Sequence, residues 1–214
     1  EGIYRRYEAQ RAHPSIQPLL ASTHHYAIWD DHDYGPNDAN RSYSLKNVSL
    51  AAFKDYWLNP NYGLPELPGI FGTFSWSDVD FFLLDDRTYR APGNTPDSRA
   101  KPMLGEAQMQ WLIDALAASR ATFKIIAIGS QVLNPYTRFE GYSQHSVEKA
   151  QLLQNIVDYK IEGVLFLSGD RHFTELNKFN IDPWFYPVYD FTSSPLTSRP
   201  ASSVEGERDN PLRE

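Results

Sequence analysis

The sequence has no cysteine, so neither a disulfide framework nor a thiolate metal site can be built from it. Any metal ligands must be oxygen or nitrogen, and redox compartment is left open. No apolar run approaches the roughly 20 residues needed to span a bilayer as a helix. Positive charge is in deficit: 20 Lys and Arg against 27 Asp and Glu give a net charge of −7. That balance excludes a basic nucleic-acid-binding face. It leaves room for a phosphate-bearing substrate, because bound cations can supply positive charge locally. No signal-peptide pattern opens the chain, which starts Glu1-Gly2-Ile3-Tyr4.

What is present is a globular composition, with 41% hydrophobic and 14% aromatic residues over 214 positions, enough for one domain with a sizeable core. A helix-compatible stretch ends near His13-Pro14, and a second short one covers about residues 16 to 21. Residues 44 to 57 read as a helix with Leu45, Val48, Ala52 and Phe53 inward, and 71–76 and 79–84 read as paired strands turning at Ser77-Asp78. Helices are expected from about 106 to 119 (Ala107, Trp111, Leu112, Ala115 and Leu116 inward) and 146 to 159 (Ser146 as cap; Ala150, Leu153, Ile156 and Val157 inward). Apolar strands are expected at 124–128, 164–167 and 186–191, and at the end of the stretch Tyr26-Ala27-Ile28-Trp29. Apolar strands alternating with helices indicate a layered α/β sheet with helices on both faces. No linker or repeat divides the chain. The polar, Pro-containing residues after Ser193, and 199–214 above all, are expected to form a loosely held tail.

In such sheets ligands bind beyond the carboxyl ends of the strands. Four predicted strand ends carry polar, mostly ligand-type residues: Asp30-Asp31-His32, Asp85-Asp86-Arg87, Ser130-Gln131 and Asp170-Arg171-His172. The first belongs to an acidic elbow, Trp29 to Asp38, whose crowded carboxylates repel unless a cation or protonation relieves them. A cation suits it, since carboxylate and imidazole are both ordinary ligands. Asp31 is assigned to metal. His32 is assigned to the charged group or leaving oxygen of a substrate. Asp30 and Asp33 are expected to orient His32, and Asn37 is a candidate carbonyl-oxygen ligand. Asp170 and His172, two apart after a flexible Gly169, would point the same way if extended and so close a metal clamp. Arg87 and Arg171 are candidates for holding phosphate oxygens, a salt bridge to Asp85 and Asp86 being an equally good reading of Arg87. His13, His24, His25 and His145 have no companion residues and read as structural or exposed.

The elbow, Leu84-Asp85-Asp86-Arg87-Thr88-Tyr89-Arg90, Met103-Leu104-Gly105-Glu106-Ala107-Gln108 and Leu167-Ser168-Gly169-Asp170-Arg171-His172-Phe173 together resemble the PhoD-like alkaline phosphatase family, over about residues 1 to 198. That family is distantly similar to the calcineurin-like phosphoesterases. The resemblance implies an incomplete α/β/β/α sandwich and a dinuclear centre of divalent or trivalent ions (calcium, iron, zinc or manganese). It also implies hydrolysis of phosphate mono- or diesters by a metal-activated water. Asp31 falls on the superfamily's metal-binding Asn, His32 on its catalytic His, and Asp170 and His172 on its paired-histidine metal motif. Ser130-Gln131 falls where other members carry a further metal-binding His. By the same resemblance, an Asp and a Tyr ligand belong before residue 1, further strands belong after the Thr192-Ser193-Ser194 region, and export to periplasm or exterior is expected. The missing ligands would come from a preceding segment or a companion chain. Two other readings stay open: a metal-binding or interaction domain without catalysis, and a metal-independent acid/base enzyme using Asp30, Asp31 and His32.

Overall fold

The computed structural model describes residues 2–183, 185–204 and 206–214. Helices α1 (Gly2–Ala12), α2 (Gln17–Ser22), the single-turn α3 (Asp31–Tyr34) and α4 (Lys46–Tyr56) come first. The hairpin β1 (Gly72–Trp76) and β2 (Val79–Leu83) follows, then α5 (Glu106–Ala118), β3 (Phe123–Ala127), α6 (Ser146–Asp158) and β4 (Val164–Ser168). Strands β5 (Thr174–Phe179) and β6 (Val188–Ser193) complete a six-stranded sheet in the order β1-β2-β3-β4-β6-β5. Strands β2, β3, β4 and β6 are mutually parallel, and β1 and β5 are antiparallel edges. The layered α/β architecture read from the sequence is the one observed.

Burial alternates along β3, β4 and β6, and in β2 both Phe82 and Leu83 are buried. Phe82, Ile126, Phe166 and Val188 lie on one buried face, packed with Met109, Leu112, Ile113 and Leu116 of α5 and Leu152, Leu153 and Ile156 of α6. Each such side chain contributes roughly 1.5–3 kcal/mol when fully buried. Phe81, Ile125, Leu165 and Leu167, on the other face, are only partly buried, and Phe191 is 37% exposed. A second cluster joins Trp29, Tyr34, Phe53 and Ile70, with Trp29 edge-on to Tyr34 and Phe53 at 5.1 and 5.4 Å. It anchors α3 beside the sheet.

Several local expectations change. Residues 26–29 form no strand; the amide and carbonyl of Ala27 are taken by the Asn59 carboxamide, at 3.0 and 2.7 Å, instead of by a neighbouring strand. In α4 the buried residues are Ser49, Ala52 and Phe53, with Leu45 and Val48 exposed, because the Ser49 hydroxyl donates inward to the Tyr34 carbonyl at 2.6 Å. In α5 the buried face is rotated onto Gln108 and Met109, since the Gln108 carboxamide bonds both the amide and the carbonyl of Asp85. Ser146 does not cap α6; it is the first helical residue, and its amide is taken by the Asp97 carboxylate. The C-terminal residues are not loose. Lys178 and Glu214 amides pair with the Leu212 and Leu176 carbonyls along the free edge of β5, and Glu207 and Asn210 are buried.

Candidate functional site

Strands β2, β3 and β4 run in register (Leu83 opposite Ala127, Ala127 opposite Leu167), so the loops after them emerge side by side. The Gly169 amide donates to the Gly129 carbonyl at 2.9 Å and locks two of these loops together. A Cβ on Gly129 would lie 2.9 Å from Asp30 Oδ1 and 3.0 Å from Asp86 Oδ1, so glycine here is what lets carboxylates approach the backbone.

The loop after β2 is organised by Asp85. Its carboxylate is fully buried and accepts from the Trp29 indole (2.9 Å), the Ile70, Arg87 and Thr88 amides (3.1, 3.0 and 2.9 Å) and the Thr88 hydroxyl (2.6 Å). This fixes the elbow, through Trp29, against the strand end. Arg87 is also fully buried. Its guanidinium donates to Asp30 Oδ1 from Nε (2.9 Å) and Nη2, and from Nη1 to the Ala39 carbonyl (3.3 Å) and Glu140 Oε1 (3.0 Å). Nη2 also lies 2.8 Å from Glu140 Oε2, and Nε 3.7 Å from Asp86. Arg90 pairs with Glu140 at 2.8 Å.

Around these two arginines stand Asp30, Asp31, Asp38, Asp86, Glu140 and Asp170, more negative charge than they neutralise. One carboxylate oxygen each from Asp30, Asp31 and Asp170 comes within 4.8 Å of the others, and so do oxygens from Asp31, Asp38 and Glu140. Asp31 is set in place by the His32 and Asp38 amides at 2.7 and 3.1 Å. Burial pushes the Asp170 carboxyl up to about 7, with the negative charges of Asp30 and Asp31 adding to the effect against the opposing pull of Arg171. Burial likewise pushes Asp86 up to about 7, with Arg87 pulling the other way. Asp86 Oδ1 is buried and accepts no hydrogen bond, whereas Glu140 Oε2 faces Arg87 Nη2 at 2.8 Å.

Of the residues singled out from the sequence, Asp31 and Asp170 meet in one cluster, and Asp30 joins them there as a third oxygen donor held by Arg87. Asp33 faces the backbone instead, accepting from the Asp30 amide at 3.5 Å. The His32 side chain is 75% exposed, with Nε2 3.9 Å from Asp31 Oδ2. Asn37 is exposed, and His172 belongs to neither of the two carboxylate clusters found among the described residues. The extended geometry expected for 169–172 is not adopted: Asp170 and His172 have φ of +64° and +57°, and the Arg171 amide turns back to the Gly169 carbonyl at 2.7 Å. The i, i+2 rule for strands therefore does not apply to this pair. Arg171 divides its guanidinium between two carboxylates. Nε and Nη2 donate to Glu207 at 2.9 and 2.5 Å, while Nη1 lies 3.9 Å from Asp170 Oδ2. Glu140 and Asp38 were missed as site residues. Glu140 sits in an irregular loop with no periodic signal, and Asp38, exposed within the elbow, takes a left-handed backbone (φ +58°) that the sequence pattern does not announce.

These oxygen donors suit a hard cation. They are carboxylates within a few ångströms of one another, insufficiently neutralised, beside a buried Asp86 oxygen that accepts no hydrogen bond. Fold and site together define an α/β protein with an acidic, cation-compatible centre at the carboxyl ends of its parallel strands. Residues 3–212 match the PhoD-like phosphatase family, and the chain belongs to that family. It is 24% identical over 212 residues to alkaline phosphatase D of Bacillus subtilis (strain 168), a match covering 84% of this chain and 36% of that protein. A solved structure described as the structure of PhoD superposes with a TM-score of 0.66 at 20% identity, covering 80% of this chain and 40% of the other, which supports the fold. The chain thus spans little more than a third of the length of this curated relative.

Proposed function

We propose that this chain carries part of the centre of a metal-dependent phosphoric ester hydrolase acting on mono- or diesters. The observation that carries the reading is the convergence of Asp30, Asp31 and Asp170 at adjacent loop ends, within 4.8 Å and short of positive charge. Membership of the PhoD-like family supports the phosphoester chemistry. In this reading Asp31, Asp170 and Asp30 hold one cation, and Asp38 and Glu140 with Asp31 offer a second position. A bound cation supplies polarisation of the phosphoryl group and a lowered pKa for an attacking water. Arg87, with its donors directed at protein acceptors, fixes Asp30 and Glu140. Arg171 turns its Nη1 edge to a phosphoryl oxygen as a charge-assisted donor. His32, exposed beside Asp31, reaches the leaving oxygen and transfers a proton to it. His172 lies outside both carboxylate clusters, and neither it nor the exposed Asn37 holds a cation in this reading. No helix among the described residues is long and apolar enough to cross a membrane; the proposed site of action, periplasm or exterior, rests on the resemblance to the PhoD-like family alone.

The test is Asp31→Asn and Asp170→Asn, assayed on an aryl phosphate and an aryl phosphodiester with metal content measured in parallel. Partners of metal ligands alone are worth about 10–100-fold in affinity or activity, so loss of a ligand should exceed that. Unchanged metal content and turnover in both variants would sink the reading. Metal uptake that depends on both aspartates, without turnover of either ester, would instead identify a binding domain. That outcome has some support in clusters that hold carboxylates only.

A further inference from the structure

The buried Glu207 has no role in the chemistry above, yet its carboxylate is spent almost entirely on one active-site side chain. Oε1 accepts from both Nε and Nη2 of Arg171, at 2.9 and 2.5 Å. Oε2 accepts from the Val204 amide at 2.9 Å, which fixes the acid's own rotamer. Residues 207–213 are strapped to the sheet. Arg213 donates to the Glu207 carbonyl (3.0 Å) and to Glu175 of β5 (2.6 Å), and Asn210 donates to Asn177 (2.5 Å). The face of the Arg171 guanidinium lies over the Phe139 ring, 4.1 Å from its centroid. Phe139 immediately precedes Glu140, whose carboxylate bonds Arg87.

An arginine on a loop has many rotamers, and ordering one costs side-chain entropy. Here two donors are gripped by Glu207 and one face by an aromatic ring, so the remaining Nη1 edge has a single direction, toward Asp170. Without Glu207 the nearest carboxylate to Arg171 is Asp170 itself, and a guanidinium that swung onto it would compete with a cation for the same oxygens.

We infer that Glu207 is a positioning residue: through Arg171 it holds an anion-binding edge in the candidate site, which makes the C-terminal segment 203–213 part of the phosphate-binding apparatus. The inference rests on the proposed phosphoester reading. It is tested by the affinity of the metal-loaded chain for inorganic phosphate, measured by calorimetry in wild type, Arg171→Ala, Glu207→Ala, Glu207→Gln and the Arg171→Ala/Glu207→Ala double variant. Bound metal and thermal melts are recorded for each. A charge-assisted bond to phosphate is worth about tenfold or more in affinity, so Arg171→Ala should weaken phosphate by at least that. Glu207→Ala should lose most of the same factor and Glu207→Gln less, since its carboxamide oxygen still accepts. The double variant should be no weaker than Arg171→Ala, because one effect acts through the other. If Arg171→Ala weakens phosphate while neither Glu207 variant does, or if the two losses multiply in the double variant, the inference is overturned and the phosphoester reading stands. If wild type binds neither metal nor phosphate, the reading fails and the inference with it.

Discussion

Replacing Arg87 with Met tests whether the acidic site is held together by its buried guanidinium. Met fills much of the same apolar length, but Asp30 and Glu140 lose bonds at 2.9 and 3.0 Å, and Asp86 loses its nearest positive charge at 3.7 Å. Removing one partner of a buried ion pair costs about 3–5 kcal/mol because the other charge stays behind. For a chain of this length each kcal/mol moves Tm by about 2–4 °C, so a drop of about 6–20 °C is expected in chelator at pH 8. The loss should shrink at pH 5. Burial raises the Glu140 carboxyl, with Arg90 and Arg87 the leading opposing causes, so deleting Arg87 lets it rise further. A carboxyl whose folded pKa lies above its unfolded value binds more protons when folded, and stability then falls as pH rises through the window between the two values. Arg87→Lys keeps the charge but not the fork and should lie between wild type and Arg87→Met. Urea denaturation at both pH values measures the effect. A loss below about 1 kcal/mol, or the same loss at pH 5 and pH 8, would refute the account of Arg87 as the clamp.

In the metal-free chain, Asp86 and Asp170 are raised to about 7, so their contribution to stability should fall from about pH 4 to pH 7. Added manganese should therefore raise Tm more at pH 8 than at pH 5, where protons compete for the ligands, and an equal rise at both would contradict this. Gly129→Ala, which brings a methyl within 3.0 Å of Asp30 and Asp86 carboxylate oxygens, should weaken metal uptake about tenfold or more while the fold survives; undiminished uptake in a titration would show that the loop yields. Asp85→Ala strands the Trp29 indole and the Ile70, Arg87 and Thr88 amides, and at about 1–3 kcal/mol for each stranded buried group, added incompletely, should cost at least about 3 kcal/mol. Tryptophan-monitored urea unfolding would disprove it with a loss below about 1 kcal/mol.

The parallel core was legible because β2, β3 and β4 are apolar and each is followed at once by polar residues; those residues do gather at one end of the sheet. Strand β5 was not legible. Its buried face is Glu175, bonded by Gln131, Asn134 and Arg213, and Asn177, bonded by Glu175 and Asn210, so the sequence shows no apolar alternation there. The false strand at 26–29 has the opposite cause: its residues suit a strand, but its backbone is paired by a side chain from residue 59. At the site, Asp31 and Asp170 were recognisable from their place after strand-like runs. The role of Asp30 was not, because it depends on Arg87 reaching across 57 positions. Asp170 and His172 were read as a pair on the assumption of extended backbone, which their left-handed φ values remove.

Those two φ values also set folding against chemistry. Asp and His tolerate the left-handed region better than most residues, yet each remains costlier there than glycine by about 1 kcal/mol. Asp170 adds a carboxylate that its acidic neighbours repel. Glycine at 170 would relieve both at once and remove a central oxygen donor. Selection on folding alone therefore runs against this position: a thermostability screen of the metal-free chain, with no activity filter, drives residue 170 away from aspartate.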